Sequence, residues 1–241
     1  MKKILFLSWQ GEMGHITRDL AIVKELRRQN PEIEISWMAH PLASKLIREA
    51  GETLLPESER SADYNQAAVP CLREFTLNII KYAKVTQKPR EHNVNLFKQL
   101  VGKYHFDLVI GDESYEIVRA LIENKVQLKT RMVVIEDFIG FEAMTKNLLE
   151  RLGVYQRNRL FSVGRQRIPS SNLTNFFVGE PEDVPDKSFG FLLPNRREFA
   201  RKRYHFLGYV IRFNPAEYKD KAKIKANLGY GSEPFLICAT G

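Results

Sequence analysis

Residues 8–18 read Ser8-Trp9-Gln10-Gly11-Glu12-Met13-Gly14-His15-Ile16-Thr17-Arg18, a glycine-bearing loop between two segments of different periodicity. Before it, residues 3–9 form a compact apolar run, the pattern of a buried strand. After it, residues 15–30 carry Ile16, Leu20, Val23 and Leu26 at helical spacing. Lys24, Arg27 and Arg28 fall in the last turns, where cations suit the negative end of the helix dipole, and Pro31 follows as a terminator. A strand over 33–38 and a helix over 41–50, ended by Gly51, complete a βαβα unit. Such alternation implies parallel strands joined by right-handed crossovers.

The alternation continues along the chain. Residues 56–70 read as a polar loop, and 71–103 as one or two helices with the break at Pro89. Residues 106–111 form a buried strand, followed by a helix over 114–125 with Ile117, Val118, Leu121 and Ile122 facing inward. A strand over 131–135, a largely helical stretch over 141–163 and a short strand over 176–179 come next. Residues 181–194 read as irregular, and 206–210 as the last strand of the domain. The fold expected is α/β, a Rossmann-like open parallel sheet with helices on both faces. Residues 212–217 read as a linker, 218–228 as a helix, 229–231 as a turn and 235–238 as a new strand without a successor. A parallel strand needs neighbours on both sides. The expected division is one domain over 1–211, then a linker and the start of an incomplete second domain over 212–241.

The bulk properties bound the function classes. Of 241 residues, 44% are hydrophobic and 27% charged, ordinary values for a globular chain with a sizeable core. No apolar run approaches the roughly 20 residues that cross a bilayer. The N-terminus lacks the apolar length and the cleavage site of a signal peptide. Two cysteines, Cys71 and Cys238, make a poor disulfide framework, so a cytoplasmic location is expected. The net charge of +8 gathers at 157–167 and at Arg196, Arg197, Arg201, Lys202 and Arg203. It reads as a solvated basic face, or as a contact with anionic membrane or a phosphorylated substrate. No aromatic RNA-binding signature or zinc-finger spacing accompanies it, so nucleic acid is not an expected partner.

The loop at 8–18 carries the chemistry. It follows the carboxyl end of the first strand, where open parallel sheets bind ligands. Gly11 and Gly14 permit tight turns and close ligand approach, and the helix N-terminus offers unpaired N–H groups. The spacing fits neither the dinucleotide fingerprint nor the P-loop. His15 lies in the first helical turn, where the dipole disfavours imidazolium; a neutral imidazole there can take a proton from a hydroxyl. The alternative is a histidine that packs on or caps the turn. Asp112 and Glu113 follow the strand at 106–111 and open on the same edge. A carboxylate on the far nitrogen of His15 would fix its tautomer, while Asp112 could equally cap the helix over 114–125. Glu136 and Asp137 follow the next strand, to hold substrate hydroxyls or to cap the segment beyond.

The run from Gly11-x-x-Gly14-His15 through Ile16-Thr17-Arg18-Asp19-Leu20 to Leu26 resembles the first loop and helix of type-B glycosyltransferases. The pattern is similar to that of the peptidoglycan N-acetylglucosaminyltransferase and the UDP-glucosyltransferase group. Asp112 resembles the aspartate that supports the catalytic histidine there, and the segment from Phe206 to Gly241 looks like the crossing into the donor domain. Two departures stand out: Met13-Gly14 replaces a glycine pair, and Arg18 lies where a proline is common nearby. The resemblance implies an N-terminal domain that binds the acceptor and a second domain that binds a nucleotide-sugar, expected to be a UDP-sugar. It implies no cofactor and no metal. His15 would be the general base and Asp112 its orienting partner. Gly11, Glu12, Gly14, Thr17, Arg18, Glu113, Glu136 and Asp137 would surround the substrates. The 241-residue chain is expected to be inactive alone, because half of the cleft is absent. Two other readings stay open: a UDP-sugar 2-epimerase-like enzyme and a non-catalytic sugar- or lipid-binding module on the same scaffold. Region 71–103, with Phe75, Leu77, Ile80, Tyr82, Leu96 and Phe97 beside Lys81, Lys84, Lys88 and Arg90, is expected to shape the acceptor pocket. It would either meet a lipid-linked acceptor at the inner face of an anionic membrane or pack as an ordinary helix.

Overall fold

Strand β1 (Lys3–Ser8) is buried because both its faces are apolar: Leu5 and Leu7 join one core layer, Ile4 and Phe6 the other. The computed structural model that gives this picture describes residues 2–8, 13–63, 69–73, 76–169, 171–231, 233–234 and 236. β1 pairs in parallel with β2 (Glu34–Ala39), which pairs with β3 (Thr53–Leu54). On its other side it pairs with β6 (Leu108–Asp112), followed outward by β7 (Arg131–Glu136), β8 (Leu173–Phe177) and β9 (Tyr204–Phe206). The sheet order is β3-β2-β1-β6-β7-β8-β9, and every pairing is parallel. A separate antiparallel pair, β4 (Leu72–Arg73) and β5 (Thr76–Leu77), lies outside it. This is the expected Rossmann-like open sheet.

Helices cover both faces. Ile16 and Val23 of α1 (Met13–Gln29) and Ala43 and Ile47 of α2 (Pro41–Glu49) pack with Phe6, Trp37 and Ile135. Leu96, Phe97 and Leu100 of α3 (Ile79–Lys103) and Ile117 and Val118 of α4 (Tyr115–Ile122) pack with Leu5, Leu7 and Met132 on the opposite face. A third cluster, with Phe161, Phe177, Val184, Phe189 and Phe199, closes the β8–β9 end. It takes in α6 (Arg196–Arg203), and α5 (Leu148–Arg159) leads into it through a π-helical turn at Leu160–Gly164.

The chain divides into two compact units, Met1–Val210 and Ile211–Gly241. The second holds a 3-10 turn (Pro215–Tyr218) and α7 (Lys221–Asn227), capped by the Asp220 side chain accepting from the Lys223 N–H at 3.0 Å. The strand expected over 235–238 lies almost wholly outside the described residues. No helix among the described residues is long and apolar enough to cross a membrane.

Several boundaries differ from the sequence reading for identifiable reasons. Helix α3 runs through Pro89 without a break. Pro89 removes one helical hydrogen bond, but the turns beyond it are fixed by burial of Leu96, Phe97 and Leu100. The apolar residues of region 71–103 divide accordingly: Leu96, Phe97 and Leu100 pack in the core, whereas Ile80 and Val85 of the same helix are exposed. Phe75 lies outside the described residues. Helix α5 starts at Leu148 rather than 141 because Asn147 caps it, its side chain accepting from the Leu149 and Glu150 N–H groups. The last strand of the unit falls at 204–206 rather than 206–210, preceded by α6, which the sequence reading took only for a run of charges. Asn195 caps it through the Glu198 N–H at 3.1 Å, so Asn195-Arg196-Arg197-Glu198 was a legible helix start. Phe97→Ala should lower unfolding stability by about 3–5 kcal/mol, measured by urea denaturation; a loss below about 1 kcal/mol would mean that α3 beyond Pro89 is not docked.

Candidate active site

The order of the sheet reverses between β1 and β6: from β1 the chain moves to β2 on one side, and from β6 to β7 on the other. At such a switch point the flanking loops diverge and leave a crevice at the carboxyl ends of the strands. Ser8 and Asp112 end the two strands and pair directly in register. Of the loop that leaves β1, Gly11 and Glu12 lie outside the described residues. The first turns of α1 present His15, Arg18 and Asp19 toward the crevice.

Asp112 is fully buried, and its two oxygens are divided between two residues of α1. Oδ2 lies 2.8 Å from His15 Nδ1, and Oδ1 accepts from Arg18 Nη2 at 2.5 Å. Arg18 Nη1 also donates to Asp137 Oδ2 at 2.8 Å, so one guanidinium links the ends of β6 and β7. His15 Nδ1 is in addition 2.7 Å from Arg18 Nη2. One ring nitrogen cannot donate to the carboxylate and accept from the guanidinium at once. The carboxylate, which only accepts, assigns the hydrogen to Nδ1. Nε2 is then the basic nitrogen, and it faces Glu113 Oε2 at 3.9 Å.

This pairing reverses the direction of shift expected from the helix dipole at His15. Burial lowers its pKa, but the hydrogen bond and charge of Asp112 more than compensate, and the net shift is upward from 6.5. The alternative role of Asp112 as a cap also lapses, because α4 begins at Tyr115 with Ser114 in the cap position.

Glu113 has a left-handed backbone, φ +45°, which is unfavourable for a residue with a Cβ. Burial, then a hydrogen bond to Asp137, push its carboxyl up to about 10. Neutral at physiological pH, it donates to Asp137. Burial alone would raise Asp137, but the bonds from Glu113 and Arg18 hold it below the ordinary value. Asp19, absent from the expected site, is fully buried one turn past His15 and accepts from Ser8 Oγ at 2.6 Å. Burial and then the nearby Asp112 charge push it well up. Its signal in the sequence was an acid on the inner stripe of α1, among Ile16, Leu20 and Val23.

Other expected site residues fall elsewhere. Glu136 is withdrawn from the crevice: Arg165 binds both its oxygens at 2.5 and 2.6 Å, and Tyr204 Oη donates to it at 2.5 Å. Its role is structural because no oxygen faces solvent. Arg165 and Arg196, read as part of a solvated basic face, are both buried. Thr17 Oγ1 donates to the Gly14 carbonyl within the first turn, at 2.9 Å. Gly14 is exposed, and a Cβ placed on it meets nothing within 4 Å, so packing does not demand glycine there. Ligand atoms of His15, Glu113 and Asp137 come within 4.8 Å of one another, a spacing that a divalent cation accepts. Arg18, bonded to Asp137 and beside His15, places a positive charge in the same space and disfavours one.

Beyond Asp137 the wall turns aromatic. Phe138 lies 5.4 Å from Tyr115 and 5.4 Å from Phe141, ring centre to ring centre. Phe141 also lines an open groove of about 630 Å³ with Leu148, Leu152, Tyr155, Phe189 and Phe191. Phe191 and Leu192 are 80% and 86% exposed on a turn braced by Ser188 Oγ, which donates to the Leu193 carbonyl at 2.9 Å.

An open parallel sheet with an imidazole–carboxylate pair at its switch point defines a class of α/β folds with a ligand-binding crevice. Comparison with solved structures narrows it. The chain is similar to the glycotransferase of kitacinnamycin, with 16% identity and a TM-score of 0.53 over 88% of this chain and 52% of that one. It is also similar to the calicheamicin glycosyltransferase, with 14% identity and a TM-score of 0.52 over 87% of this chain and 53% of that one. At such identities the likeness concerns the fold, which is the Rossmann-like α/β fold of these glycosyltransferases. The chain spans about half the length of the structures it matches. No family model and no curated protein matches the sequence.

Glu113→Gln tests the neutral carboxyl. Unfolded, Glu113 ionises near 4.5; folded, it holds its proton to about 10, so its contribution to stability is full below 4.5 and is lost as pH rises toward 10. The substitution should stabilise the chain by on the order of 2 kcal/mol or more at pH 8 and leave it nearly unchanged at pH 4, by thermal melts at both values. Equal effects at the two pH values would contradict a buried neutral acid.

Proposed function

We propose that the chain is the acceptor-binding half of an inverting glycosyltransferase that moves a sugar from a nucleotide-diphosphate donor, a UDP-sugar, to an acceptor hydroxyl. The observation that carries this reading is the 2.8 Å contact between His15 Nδ1 and Asp112 Oδ2 at the switch point. The pairing leaves Nε2 to remove the proton from the acceptor hydroxyl, and the Asp112 carboxylate stabilises the imidazolium that results. The hydroxyl oxygen bonds to the anomeric carbon as the bond to the diphosphate oxygen breaks on the opposite face. Charge departs with the nucleotide diphosphate, and the configuration inverts. Arg18 is a positioning residue in this scheme, holding Asp112 and Asp137 rather than an acidic acceptor. Residues for the nucleotide belong to a second domain.

The apolar groove supports an acceptor with a substantial apolar portion, a lipid-linked molecule among them. Phe138 and Phe141 connect Asp137 to Leu148, Leu152 and Phe191, and a chain lying there would keep its polar end beside His15. An epimerase acting on the nucleotide-sugar alone has no need of this groove, which favours the transferase reading.

The test is sugar transfer by the complete protein, with UDP-sugars as donors and amphiphilic acceptors. His15→Ala should lower turnover at least about 100-fold, and Asp112→Asn should lower it with little change in KM. The rate should rise with pH through a midpoint above 6.5, because the imidazole must be neutral to act and its pKa is raised. Unchanged turnover in His15→Ala, or epimerised sugar released without an acceptor, would overturn the proposal.

A further inference from the structure

A second concave site lies on the edge of the sheet opposite His15. The amino-terminal ends of β8 and β9, the end of α6 and the segment after the π-helical turn enclose a cavity of about 380 Å³. Its lining includes Arg165, Arg201, Lys202, Arg203 and His205, and no aspartate or glutamate. Three consecutive cations on a continuing helix would point about 100° apart. They share one cavity here because α6 ends at Arg203 and the chain becomes strand at Tyr204. Arg201 bonds Glu182 at 3.0 Å, whereas Lys202 and Arg203 make no ion pair among the described residues. Cations in a last turn suit the helix dipole, but three adjacent ones around one concavity repel each other unless an anion lies between them.

Arg165, which lines the cavity, is only 5% exposed. Its terminal nitrogens bond Glu136, Asn175 and Tyr204, so its charge is already paired. A cavity rich in guanidinium forks, without acidic groups, suits phosphate oxygens. Its volume exceeds that of a lone phosphate and falls in the range of small-molecule sites.

We propose that this cavity binds a small phosphorylated molecule, with Lys202 and Arg203, unpaired among the described residues, as its cationic lining, independently of the His15 crevice. Calorimetric titration of the 241-residue chain at low salt, with inorganic pyrophosphate and separately with glucose 6-phosphate, tests it. Saturable submillimolar binding of either is expected, weakened at least tenfold in Lys202→Ala/Arg203→Ala and unchanged in His15→Ala. Binding of both ligands assigns recognition to the phosphoryl group; pyrophosphate alone assigns it to a diphosphate, and glucose 6-phosphate alone to a phosphorylated organic molecule. Both substituted side chains are exposed, and far-UV circular dichroism confirms that the variant is folded; Lys202→Glu alone should also abolish binding. No binding of either ligand, binding that the double variant retains, or binding lost in His15→Ala would overturn the proposal. So would adsorption to anionic vesicles in place of binding to either ligand.

Discussion

The buried Asp112 carboxylate is the charge around which the candidate active site is arranged. An isolated carboxylate in this position would be expensive, and one left with a single partner would be nearly as poor. Its partners both come from α1: His15 and Arg18 are three residues apart and therefore neighbours on one helical face. The pairing fixes how α1 leaves the end of β1. Arg18 then reaches Asp137, so the ends of β6 and β7 are tied to the same helix. Removing Arg18 would remove the compensating charge of two carboxylates at once, and its effects would spread beyond any role in catalysis.

Proton occupancy follows from this arrangement. Four carboxyls crowd around one arginine and one histidine. Burial pushes Asp19 and Glu113 toward their protonated forms, while Arg18 bonds both Asp112 and Asp137. The same balance explains why the imidazole pKa is raised despite burial and a helix N-terminus. Local carboxylate contact outweighs both.

The layered fold was legible because its signals are periodic: apolar runs for buried strands, helical stripes between them, and carboxyl-terminal residues that fall on one edge. His15, Asp112, Glu113 and Asp137 could be placed at that edge from strand order alone. Features set by tertiary packing were not legible. Glu136 and Asp137 are adjacent and chemically alike, yet the pleat turns one toward Arg165 in the interior and the other toward Arg18 in the crevice. Pro89 is a reliable breaker in isolation, but burial of Leu96 and Phe97 overrides it. Asp19 and the caps Asn147 and Asn195 were visible and under-read: an acid on an apolar stripe signals a buried network, and an asparagine three residues before a glutamate signals a helix start.

The central claim is that Asp112 sets the tautomer and basicity of His15. Nitrogen-resolved NMR of the histidine rings across a pH titration measures both, on the chain as it stands. The account predicts that neutral His15 carries its hydrogen on Nδ1, titrates above 6.5, and titrates at a lower pH in Asp112→Asn. A hydrogen on Nε2, or a titration unmoved by Asp112→Asn, would contradict it.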